Sequence, residues 1–127
     1  MQYSAEMRHL ARVPYIYMLA ILLLASCGKQ YKAKGLVKDF VRENAVEEVS
    51  INSFSDLDST RVISDSTIQA LREGLKQDPM FKPNSKLTAE RKDQTLFYIR
   101  MRYQEDTLEL SKTFYFNADL EGIVAVK

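Results

Sequence analysis

Two runs of alternating residues near the C-terminus constrain the fold more than any other feature of this chain. Phe97, Ile99, Met101 and Tyr103 alternate with Leu96, Tyr98, Arg100 and Arg102, and Leu108, Leu110, Phe114 and Phe116 share one face of a second run. Successive strand residues point to opposite faces, so period two over adjacent runs predicts an antiparallel hairpin with one apolar face. With Glu105-Asp106 as a two-residue turn, Tyr103 meets Leu108, Met101 meets Leu110 and Phe97 meets Phe114. The same register sets Arg102 against Glu109 and Tyr98 against Thr113. Lys112 is the misfit: it falls on the apolar face opposite Ile99, which calls for snorkelling to an edge or for a bulge. A turn over residues 117–122 then leads into a last strand, Ile123 to Val126.

The preceding residues supply helices to cover such a sheet. Leu36, Val37, Phe40, Val41 and Ala45 recur at helical spacing with charges between them, predicting an amphipathic helix over 31–45. Ile68, Leu71 and Leu75 predict a second over 65–76, ended by Pro79. Between the helices, Val49 and Ile51 mark a strand over 46–55. Phe54 has the wrong parity for their face, so the strand either bulges near Asn52 and Ser53 or is covered on both sides. The repeated triplets Asp58-Ser59-Thr60 and Asp65-Ser66-Thr67 read as turn and cap chemistry, with Ser66 and Gln69 at capping-box spacing, in preference to a cation or sugar site. The loop Asp78 to Asn84 is set by its prolines, offers Met80 and Phe81 as anchors, and is a natural place for ligand access.

Near the N-terminus, an uncharged apolar run from Tyr15 to Ala25 follows Arg8, His9 and Arg12. It is about half the roughly 20 residues a helix needs to cross a bilayer, and with its basic flank it reads as an export signal. Leu24-Ala25-Ser26-Cys27 resembles the lipobox of bacterial lipoproteins. That resemblance implies removal of residues 1–26, lipidation of Cys27, a tether over 27–34 and a single domain over 35–127. Glu6 is out of place in such a leader, and Met7-Arg8 is the expected start of translation.

Removing residues 1–26 from 127 leaves 101, enough for one core that buries roughly 60–65% of the unfolded surface. The leader carries two of 18 basic and one of 17 acidic residues, so the remainder holds 16 of each and is formally neutral. Nucleic acid is therefore not an expected partner. Cys27 is the only cysteine and His9 the only histidine. A disulfide framework, the common zinc sites and His-dependent triads are all excluded from the mature part, and no catalytic residue, metal site or cofactor is assigned.

The order helix, strand, helix, loop and three meandering strands predicts an α+β fold: an antiparallel sheet of about four strands packed on one face by two helices, similar to cystatin-like or NTF2-like folds. The opening Cys27-Gly28-Lys29 before a helix, together with Phe114-Tyr115-Phe116-Asn117 and Gly122-Ile123-Val124-Ala125, resembles small uncharacterised lipoproteins of Bacteroidetes bacteria. A looser likeness is to accessory lipoproteins of the outer-membrane barrel-assembly machine, without that family's glycine-rich helix opener and Gly-x-Pro signature. The resemblance implies an envelope lipoprotein of unknown activity, anchored to a membrane through lipid on Cys27 at the outer membrane facing the periplasm; the expected role is a protein-interaction or structural module, with another envelope protein as partner. Tyr98, Arg100, Arg102, Thr113 and Tyr115, expected to point away from the helices, form the candidate interaction face. A small-ligand module with a pocket between helix and sheet is the alternative. An NTF2-like enzyme would have to draw on Asp39, Glu43, Tyr98, Tyr103 or Tyr115.

Overall fold

The computed structural model describes residues 27–127; the export signal, its basic flank and the start at Met7 lie outside the described residues. Helix α1 occupies 27–44. Its buried stripe is Ala33, Val37, Phe40 and Val41, the spacing that keeps side chains on one side of a 3.6-residue helix. The helix expected from 31 starts earlier, taking in residues 27–30 of the segment 27–34 expected as a tether. Gln30 fastens it to the sheet border by donating to the Ser55 carbonyl at 3.0 Å and accepting from the Leu57 amide at 2.5 Å. The Lys29 ammonium sits 5.8 Å from the centre of the Phe97 ring. These contacts, with a fully buried Ala33, outweigh the cost of about 1 kcal/mol that Gly35 imposes on a helix interior.

The sheet has five strands: β1 (Ser50–Phe54), β2 (Asp58–Thr60), β3 (Leu96–Glu105), β4 (Leu108–Phe116) and β5 (Ile123–Val126), in the order β1-β3-β4-β5 with β2 also paired to β3. All pairings are antiparallel. β1 pairs with the end of β3 and β2 with its beginning, so the two short strands share one flank of β3. Ser55 joins them, its amide donating to the Arg100 carbonyl at 2.9 Å and its hydroxyl accepting from the Arg100 amide at 2.8 Å. The first triplet, expected as a turn, is therefore strand β2. The register shift between Ile51 and Ser53 leaves Asn52 as the extra residue and sets both Ile51, opposite Tyr103, and Phe54, opposite Met101, toward α1.

In the hairpin the turn is Asp106-Thr107, one residue later than expected, with Asp106 at a φ of 55° that aspartate tolerates better than most residues. Every pair moves by two: Tyr103 meets Leu110, Met101 meets Lys112, Ile99 meets Phe114, Phe97 meets Phe116, Arg102 meets Ser111 and Tyr98 meets Tyr115. An even shift preserves the faces, so the α1 side still carries Ile99, Met101, Tyr103, Phe114 and Phe116. Phe81 from the proline loop completes this core, bridged to Ala45 and packed on Phe40.

Helix α2 (Asp65–Leu75) is capped by Ser64, two residues earlier than the expected Ser66; its hydroxyl accepts from the Thr67 amide at 3.2 Å. Leu75 joins the α1 core, whereas Ile68 and Leu71, expected to cover the Phe97 face, pack with Leu96, Tyr115, Val124 and Ala125. All four residues of β5 are consequently buried.

Two arginines hold the irregular stretch between α2 and β3. Arg72 donates to the carbonyls of Val124 at 3.0 Å and Ala89 at 3.2 Å, and Arg91 to those of Ile63, Asp93 and Gln94 at 2.6–2.8 Å. Buried Asn117 organises the β4–β5 turn, accepting from the Glu121 amide at 2.8 Å. It also offers its carbonyl to Leu120, whose φ of 51° is held by burial of that side chain.

Candidate functional site

The five residues singled out from the sequence lie on one sheet face, but they divide into two environments. Tyr115 is only 9% exposed and belongs to the α2 contact, so it does not point away from the helices. Tyr98 is half-buried beside it, with ring centres 6.1 Å apart and planes inclined by 45°. The cause is α2, which lays Ile68 and Leu71 on this part of the sheet. Arg100 and Arg102 are exposed, and Thr113, opposite Arg100, is half-buried.

β-strand alternation carries Tyr98, Arg100 and Arg102 along one face of β3, and Ser111, Thr113 and Tyr115 along the same face of β4. Tyr98, Arg100, Ser111, Thr113 and Tyr115 line a groove of about 590 Å³, closed on one flank by Ser59, Thr60 and Ile63 and bordered by Lys127. Arg102 stands next to it, opposite Ser111. Among the described residues neither guanidinium has a carboxylate within salt-bridge distance, although seven other ion pairs form. The Tyr98 hydroxyl donates to Asp58 Oδ2 at 3.3 Å. The Asp58 charge, with burial second, raises the phenol above its usual range, so it stays a neutral donor at physiological pH. Asp58 is the partner that sequence reasoning missed, because β2 had been read as a turn.

The groove and its border thus present hydroxyls and the guanidinium groups of Arg100 and Arg102, a donor-rich surface suited to carboxylate or carbonyl acceptors. The acids considered for an enzyme are elsewhere: Asp39 and Glu43 are exposed on α1, and Asp39 is held by Arg42 at 2.9 Å. Among the described residues, no three of His, Cys, Asp and Glu converge in a way that could hold a metal ion.

A second concavity of about 650 Å³ lies on the other face of the sheet, between the proline loop, residues 46–49 and the end of the hairpin. Its wall holds the half-buried ion pair of Lys112 with Asp78. This pair explains the misfit lysine: Lys112 stands beside Met101 on the α1 side and reaches a carboxylate on the loop. Tyr103 also lines the cleft, and burial raises its phenol above the usual range. A lysine out of pattern on an apolar strand face was the available sequence signal; its partner, 34 residues earlier, was not. Cys27 is exposed on α1, and among the described residues no helix is long and apolar enough to cross a membrane. No protein-family model, curated protein or solved structure matches this chain.

Proposed function

We propose that this chain is a lipid-anchored envelope protein that binds an acidic segment of another envelope protein through the Arg100–Arg102 face of its sheet. The observation that carries the reading is two adjacent exposed guanidinium groups without a carboxylate partner among the described residues, beside a groove floored by Tyr98 and Tyr115. Tyrosine and arginine dominate binding hot spots because each joins a large contact area to directed hydrogen bonds. A rigid sheet presents them with little ordering cost on association. The lipobox-like residues ending in Cys27 support the anchoring part of the reading, and α1, fastened through Gln30, would hold the domain close to its lipid.

The test is a photo-crosslinking residue at Ser111, activated in intact envelopes. A discrete adduct is expected, and in an Arg100→Glu, Arg102→Glu background it should fall at least tenfold, since a hot-spot arginine contributes about 2 kcal/mol or more. Both side chains are exposed, so the melt should move by no more than about 0.5 kcal/mol of stability. An adduct undiminished by the charge reversal would overturn the proposal, as would no adduct.

A further inference from the structure

We infer that the cleft beneath the Pro79 loop is a binding site for a small amphipathic cation, an aromatic or alkyl group carrying an ammonium. The inference is independent of the Arg100–Arg102 face, which attracts the opposite charge. Four carboxylates, those of Glu47, Glu48, Asp78 and Glu105, line the cleft against the single ammonium of Lys112, so its net charge is negative by three in a nearly neutral chain. Lys112 is already engaged by Asp78, which leaves the three glutamates at the rim to receive a cation. Val49, Met80 and Leu110 give the same cleft an apolar wall, and its volume falls in the range of small-molecule sites.

Tyr103 supplies an observation of a different kind. The residue lines the cleft and is only 8% exposed, yet its hydroxyl bonds to no other described residue. Among the described residues every fully buried side-chain polar atom is hydrogen-bonded. The Tyr103 hydroxyl is thus neither sealed in nor satisfied by the described residues; it is presented to whatever enters. The cleft is also pre-formed. The Val46 amide donates to Met80 at 2.9 Å, the Lys82 amide to Asn44 at 2.8 Å, and buried Phe81 pins the loop between them, so little chain ordering accompanies binding.

Tryptamine is a suitable probe because the protein has no tryptophan, leaving the indole as the sole long-wavelength fluorophore. It would be titrated against the full chain in neutral-detergent micelles, with wild type and variants in the same micelles. Saturable binding is expected, weakened about tenfold by Glu47→Gln with Glu48→Gln and severalfold by Tyr103→Phe, with unchanged melts. Indole-3-propionate, of similar size and opposite charge, should bind at least tenfold more weakly. No saturable tryptamine binding, equal affinity for the two indoles, or indifference to both variants would each overturn the assignment.

Discussion

Phe40→Ala is expected to lower the melting temperature by about 12–40 °C, the range set by a loss of roughly 3–5 kcal/mol in a domain of about 100 residues. Phe40 is 2% exposed at the centre of the α1 core. Its ring meets the edge of Phe81 at 5.4 Å between centres and that of Phe114 at 6.1 Å, so one substitution removes contacts to the proline loop and to β4 together. The loss is a large part of the roughly 5–15 kcal/mol available to a small domain. Leu108→Ala is the control: at 63% exposure on the hairpin it should change stability by about 0.5 kcal/mol or less. A Phe40→Ala melt within a few degrees of wild type would mean that α1 does not cover this face.

Gly122→Ala should cost about 2–4 kcal/mol, by a different route. The backbone φ of Gly122 is not in the left-handed region, so the requirement is for space. A Cβ there would lie 2.5 Å from Thr88 Oγ1 and 2.8 and 2.9 Å from the Thr88 carbonyl oxygen and carbon. The chain must move, and overpacking of this kind costs about 1–3 kcal/mol. The movement also strains the Thr88 amide bond to the Ile123 carbonyl, 3.1 Å, and the Ile123 amide bond to Thr88 Oγ1, 2.8 Å, each contributing about 1 kcal/mol. Thermal melts of Gly122→Ala with and without Thr88→Ala check the cause. The double variant should stay well below wild type, because the carbonyl contacts remain; full recovery would place the clash in the hydroxyl alone.

Where local pattern and tertiary packing agree, the fold was legible. Alternation in β3 and β4 identified the hairpin and its two faces, and helical spacing identified both helices. The misplaced parity of Phe54 left a bulge or a doubly covered strand open, and the structure shows the bulge, at Asn52. What escaped was what depends on contacts distant in sequence. Three-residue β2 has no pattern of its own and exists by pairing with Leu96 to Tyr98. The helix begins at 27 and not at 31 because Gln30 finds partners on the sheet border. Tyr115 is buried because α2 returns to the face that the hairpin pattern leaves open. Arg72 and Arg91, which hold the irregular residues 76–95, have no sequence pattern that names their partner carbonyls. The candidate face was partly legible for the same reason: Tyr98, Arg100, Arg102 and Thr113 share a face by alternation, but α2 decides which of them remain open.

The compartment determines what that face can meet, and it turns on Cys27. The most direct test is the intact mass of the chain recovered from membranes. The account predicts a species that begins at Cys27 and carries diacylglyceryl and further acyl mass on that residue, with two or three chains because a single one anchors only marginally at about 0.8 kcal/mol per buried methylene. Cys27→Ser should leave the precursor unprocessed or release an unlipidated domain. An unmodified chain of precursor length at the membrane, or a Cys27→Ser variant processed normally and still membrane-bound after a carbonate wash, would contradict it.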